Sequence, residues 1–245
     1  MKLKLALLIL ASMPLMTMAA GDVWDYTGDN GAAHWGELSS EFALCSSGVN
    51  QSPINIVTES VIEADLPPLI LNFHINKIDM VNNGHTIQAN IKGKNTFTND
   101  DGTFNLLQFH FHSPSEHTID SKSFPLEAHF VHADQDGRLA VIGVMFEAGE
   151  SNPELAQMWA DMPTANHSKS LLLKALTKVK LLPKEKSYYR LNGSLTTPPC
   201  TEGVRWFILK DTIEASQEQI DKFHNVIGTD TNRPTQPINA RVILQ

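Results

Sequence analysis

Three histidines on two neighbouring extended segments are the residues of this chain best placed to do chemistry together. In Asn105–His112, Gln108, His110 and His112 recur at every second position. A strand would turn all three to one face and Leu107, Phe109 and Phe111 to the other. The segment Leu126–Ala133 carries Glu127, His129 and Val131 in the same alternation. Residues 113–125 are long enough to return the second strand antiparallel, which sets His129 beside His110 and His112. Three neutral imidazoles are the donor set of an open zinc site, with a fourth position left for water. Neutral ligands leave the metal its full charge, which acidifies that water. Gln108 and Glu127 offer acceptors for the ring N–H groups that face away from a metal. A lone His-x-His also occurs on solvated sheets. The flanking glutamine, the Glu-x-His of the second strand and the Glu116-His117 pair between them single out these three. His74, His167 and His224 lack that context and read as structural residues.

The elements that must hold this arrangement are mostly strands. Extended stretches at 54–57, 78–81, 85–91, 105–112, 126–133, 139–147, 187–191 and 204–209 are separated by turn formers such as Asn82-Asn83-Gly84. Three stretches read as helices. One opens at Asn152-Pro153-Glu154, a cap followed by proline, and one runs over about Lys169–Leu182. The third runs over Gln217–Ile227, with Ser216 and Gln219 as a capping box and Gly228 as its stop. Strands outnumber helices and do not alternate with them. The expected fold is α+β and β-dominated: a single domain with a large, mostly antiparallel, twisted central sheet and peripheral helices.

Residues 1–20 begin with Lys2 and Lys4, continue as an apolar run broken by Ser12 and Pro14, and end in Ala19-Ala20. That layout predicts a cleaved secretory signal peptide. The expected mature chain is 21–245, and loss of the two lysines takes the net charge from −8 to −10. An acidic chain with scattered basic residues offers no footprint for nucleic acid. No stretch is long enough to span a membrane, and 42% hydrophobic residues supply a core. Export places Cys45 and Cys200, the two cysteines, in an oxidising compartment. A disulfide is the expected state there, two buried thiols the alternative.

Beyond the histidine strands, Trp24-Asp25-Tyr26, Gln51–Ile56 (QSPINI), Gly193–Cys200 (GSLTTPPC) and Asn232–Pro237 (NRPTQP) stand in an order that resembles the α-class carbonic anhydrases. The likeness spans essentially the whole mature chain. It implies reversible hydration of carbon dioxide to bicarbonate and a proton through zinc-bound hydroxide. One zinc per chain would sit on His110, His112 and His129, with weak esterase activity from the same nucleophile. A catalytically inactive relative, serving as a binding or scaffold protein, is the alternative. Such relatives usually lack a ligand histidine, and here all three are present.

The resemblance also implies individual roles. Thr196 would orient the hydroxide, handing its own hydroxyl proton to Glu116, because an ionised carboxylate only accepts. His117 would be a buried structural histidine near Glu127. Val131, Val141, Leu195, Val204 and Trp206 match the apolar wall of the substrate pocket, and Thr197 a neighbouring position. Tyr26, Asn83, His85 and Gln88 match positions that hold ordered water. His85 further matches the family's proton shuttle. An acid of pKa near 7 loses its proton to bulk water at only about 10^3 per second, because recombination is diffusion-limited. The ~10^6 per second known for carbonic anhydrase therefore needs a relay, and a histidine suits it.

Further implications are anion or sulfonamide inhibitors at the zinc, cis peptides at Ser52-Pro53 and Pro198-Pro199, and a 45–200 bridge bracing the threonine loop. The leader, the short Ser113-Pro114-Ser115 connection and the cysteine pair resemble bacterial exported members. That implies a periplasmic or secreted protein and a homodimer. Gln88 stands where many members have Asn.

Overall fold

The computed structural model describes residues 24–75, 77–172 and 181–245, so the expected leader lies outside the described residues. The strands, in chain order, are β1 (Asn55–Ile56), β2 (Ile70–Asn72), β3 (Ile78–Asn82), β4 (Ile87–Ile91), β5 (Thr96–Asn99), β6 (Gly102–His112) and β7 (Thr118–Ile119). They continue with β8 (Leu126–Ala133), β9 (Leu139–Ala148), β10 (Lys169–Leu172), β11 (Tyr188–Ser194), β12 (Glu202–Leu209) and β13 (Ile213–Ala215). The α-helices are α1 (Trp35–Leu38), α2 (Leu44–Ser47), α3 (Pro153–Ala160) and α4 (Gln217–Ile227).

One large sheet runs β10-β3-β4-β6-β8-β9-β12-β11, with β5 beside β6, β2 beside β5, and β13 beside β9. Most pairs are antiparallel, but β12 and β13 run parallel to β9, so the sheet is mixed. The parallel pairing is open to the chain because more than fifty residues, including α3, separate β9 from β12. β1 and β7 form a separate parallel pair.

Two expectations need correction. The helix expected from Lys169 does not begin there: Lys169–Leu172 is β10, an edge strand paired with β3, and 173–180 lie outside the described residues. The open backbone edge of β3 outweighs the modest helix preference of Lys and Leu. Leu107 was expected on the face opposite the histidines, with Phe109 and Phe111, yet it is 44% exposed while they are buried. A bulge between Leu106 and Gln108 shifts the alternation, so Phe104 and Leu106 are buried before it and Phe109 and Phe111 after it.

The core below the sheet packs Phe111 against Trp159 of α3 and Phe223 of α4. Helix α4 has the expected bounds, with the Ser216–Gln219 capping box and Gly228 left-handed at φ 83°. The opposite face of β6 and β8 carries the histidines. It is backed by a second core cluster that includes Val131, Val141, Val204 and Trp206.

Candidate metal centre and active-site cavity

Strand register brings the three histidines together. His110 on β6 stands opposite His129 on β8, and His112 stands opposite Glu127. One ring nitrogen from each of His110, His112 and His129 lies within 4.8 Å of the others. The remaining nitrogens point to acceptors: His110 Nδ1 to Gln108 Oε1 at 2.8 Å, His112 Nδ1 to the Thr231 carbonyl at 2.6 Å, and His129 Nε2 to Glu127 Oε1 at 2.8 Å. Each acceptor fixes a tautomer in which the proton sits outward and the lone pair faces the cluster. His112 Nε2 is buried without a hydrogen bond. Converging, deprotonated nitrogen donors with committed outer partners fit a zinc ion.

Burial pushes the His110 and His112 imidazoles below their usual range; the neighbouring histidines push His110 further, while Glu116 opposes the shift in His112. Burial pushes His129 down as well, but the charge and hydrogen bond of Glu127, aided by Glu116, raise it overall. Glu127 is itself buried, which favours its neutral form, yet His129 and His117 hold it well below the usual carboxylate range. Its Oε1 also accepts from His117 Nδ1 at 2.9 Å, and its Oε2 from the backbone N–H groups of Glu116 and His117. Gly143 of β9 stands opposite His129, and a Cβ there would meet Ile208 Cδ1 at 2.7 Å and Glu127 Oε1 at 3.2 Å. The glycine therefore leaves room for the carboxylate.

Above the histidines lies a cavity of about 240 Å³. Its lining includes the apolar Val131, Val141, Leu195 and Trp206, together with Thr196, Thr197, Tyr26, Asn83, His85, Gln88 and Gln108. Val204, expected in the apolar wall, is buried behind it in the second core cluster instead. Burial, then the charges of Glu116 and Asp25, raise the Tyr26 phenol well above its usual value, so it keeps its proton. Asn83 accepts the backbone N–H groups of His85 and Thr86 at 2.9 Å each and so shapes the turn that carries His85.

The family model for eukaryotic-type carbonic anhydrases matches residues 30–245. The chain belongs to the α-type carbonic anhydrase family. A carbonic anhydrase of Pectobacterium carotovorum is 46% identical over the full length of both chains, and one of Neisseria gonorrhoeae is 47% identical over 98% of this chain and 95% of its own. The α-carbonic anhydrase of Thermovibrio ammonificans, solved in complex with the inhibitor sulfanilamide, superposes with a TM-score of 0.89 at 46% identity. The match covers 92% of this chain and all of that one.

Several carbonic anhydrase features depend on residues far apart in sequence. Cys45 and Cys200 form a disulfide with Cα atoms 5.0 Å apart. Cys200 ends a loop closed by Leu195 N–H to Thr201 O and Cys200 N–H to Thr197 O, each at 2.9 Å. Both expected cis peptides are present, with a third at Ser113-Pro114. The Thr196-to-Glu116 hydrogen bond implied by the resemblance is not formed. Glu116 Oε1 accepts the Arg233 backbone N–H at 3.0 Å. Glu116 Oε2 has no hydrogen bond and lies 3.4 Å from His112 Nε2 and 3.8 Å from His129 Nδ1. Two residues of the site were not expected: Trp24, whose ring stacks on His85 at 3.8 Å, and Arg233, whose guanidinium reaches Gln51, Ser52 O and Cys45 O. Trp24 and Arg233 stand inside the WDY and NRPTQP motifs, the signal from which they could have been found.

Proposed function

We propose that this carbonic anhydrase carries out its reversible hydration of carbon dioxide with one zinc ion held by His110, His112 and His129. The observation that carries the reading is the outward commitment of one nitrogen on each ring, which leaves three lone pairs facing one another. Bound there, zinc supplies a Lewis acid that lowers the pKa of a water to about 7, the value familiar for this enzyme family. Carbon dioxide rests against Val131, Val141, Leu195 and Trp206, an uncharged wall for an uncharged substrate. Thr196 lines the cavity over the imidazoles. In the working enzyme its hydroxyl turns to donate to Glu116 Oε2, which only accepts and has no hydrogen bond in this structure, and its lone pair then faces the nucleophile. Tyr26, Asn83 and Gln88 hold water between the metal centre and His85, and His85 carries the proton outward.

Elemental analysis tests the metal assignment: one zinc per chain is expected, lost in His112→Ala. A full complement of zinc in that variant would contradict it. Sulfonamides and small anions should inhibit, as the sulfanilamide complex of the Thermovibrio relative suggests. The same reading includes a signal peptide at residues 1–20 and a periplasmic or secreted mature protein of residues 21–245, for which the closed 45–200 bridge is support. It extends to weak esterase activity and to a homodimer, which sedimentation velocity would reveal as a species of twice the chain mass.

A further inference from the structure

The turn that carries His85 is fastened to a second turn that also carries a histidine. Asn82, fully buried, is the clasp. Its backbone N–H donates to Ser168 O at 3.0 Å, its side-chain amide donates to Pro163 O at 3.3 Å, and its side-chain oxygen accepts from Gly84 N–H at 3.0 Å. The 163–168 segment closes on itself through Ser168 N–H to Ala165 O at 3.0 Å, and then pairs into the sheet with Lys169 opposite Val81. His167 sits in this segment, exposed and left-handed at φ 60°.

We propose that His167 is a second proton-carrying residue of the hydration reaction, taking the proton from His85 at the cavity mouth and passing it to buffer in solution. The inference rests on the shuttle role assigned to His85 above. A nitrogen lone pair of neutral His167 accepts the proton that the His85 imidazolium releases, directly or across a water. His167 then yields it to a buffer base, and both rings return to neutral.

Two further observations support this. His85 is half-buried, with one ring face covered by Trp24 at 3.8 Å and the Tyr26 ring 6.3 Å away, so little of it is open to a colliding buffer molecule. His167 is exposed. His167 also lies within electrostatic reach of His85: burial lowers the His85 imidazole, Asp25 opposes that, and the charge of His167 lowers it further.

The test is steady-state hydration by the full mature enzyme carrying His167→Ala, His85→Ala or both, in dilute buffer and in concentrated imidazole. His167→Ala should lose several-fold in kcat in dilute buffer, recover in imidazole, and keep kcat/KM unchanged. Damage to the fold would lower both constants and would not respond to imidazole. In a serial relay the double variant is no slower than His85→Ala. A wild-type kcat for His167→Ala in dilute buffer, a loss that imidazole does not restore, or a double variant slower than His85→Ala would overturn the proposal. If His85→Ala itself kept full kcat in dilute buffer, the shuttle assignment would fail instead.

Discussion

At the scale of single residues, the site depends on where each imidazole proton is placed. Glu127 fixes His129 and His117 together and is satisfied on both oxygens. Glu127→Gln keeps the size but removes the charge that raises His129, and zinc affinity should fall about 10–100-fold. Competition with a chromophoric chelator would measure this, and an unchanged affinity would show Glu127 to be only structural. Thr196→Ala should leave the zinc in place while kcat/KM drops on the order of 100-fold, the scale of a misoriented reacting group. Period-two alternation made His110, His112, His129, Gln108 and Glu127 legible in sequence. The partner of His112 was not legible, because it is the backbone carbonyl of Thr231, which any residue type could offer. Arg233 was hidden for a similar reason: its backbone N–H holds Glu116 and its guanidinium binds two carbonyls and one amide, with no carboxylate partner to suggest it.

At the scale of elements, the β6–β8 and β8–β9 ladders place the site and the threonine loop caps it. The strands rich in β-branched and aromatic residues were read with bounds close to those observed. Among the short strands β1 was read within 54–57, but β2, β5, β7, β10 and β13 were not, since two to four residues pair only where a neighbouring edge invites them. The bulge in β6 is likewise a property of the pairing and not of β6 alone. The 45–200 bridge spans 155 residues and should stabilise the fold by up to about 5 kcal/mol on the chain-entropy account. Reduction should lower the urea midpoint and, by freeing the Thr196 loop, lower kcat. An unchanged midpoint would mean that packing alone holds the loop.

His132 on β8 gives this sheet an acid limit. Its Nδ1 donates to Phe130 O at 2.8 Å, its ring packs against Phe97, and burial holds it at about 3. The unfolded chain binds that proton near pH 6.5. Stability is therefore lost as pH falls through 6.5 toward 3, at up to about 1.4 kcal/mol per pH unit. His132→Phe should flatten this part of the acid limb in urea titrations at pH 7 and pH 4.5. An unchanged slope would mean that other groups dominate.

At the scale of the whole molecule, one mixed sheet forms a single domain in which early and late described segments serve one cavity. Trp24 and Tyr26 reach its rim, and Thr231 and Arg233 close behind its histidines. That convergence was visible in outline, because the family-like motifs run from Trp24 to Pro237. No helix among the described residues is long and apolar enough to cross a membrane. The three-histidine centre is proposed to make this chain a zinc-dependent carbon dioxide hydratase. Stopped-flow hydration of carbon dioxide, followed with a pH indicator before and after zinc is stripped by a chelator, tests it most directly. Rapid hydration that vanishes with the metal and returns when zinc is restored is the expected result. Hydration no faster than the uncatalysed rate in the zinc-loaded protein, or a rate indifferent to the chelator, would contradict it.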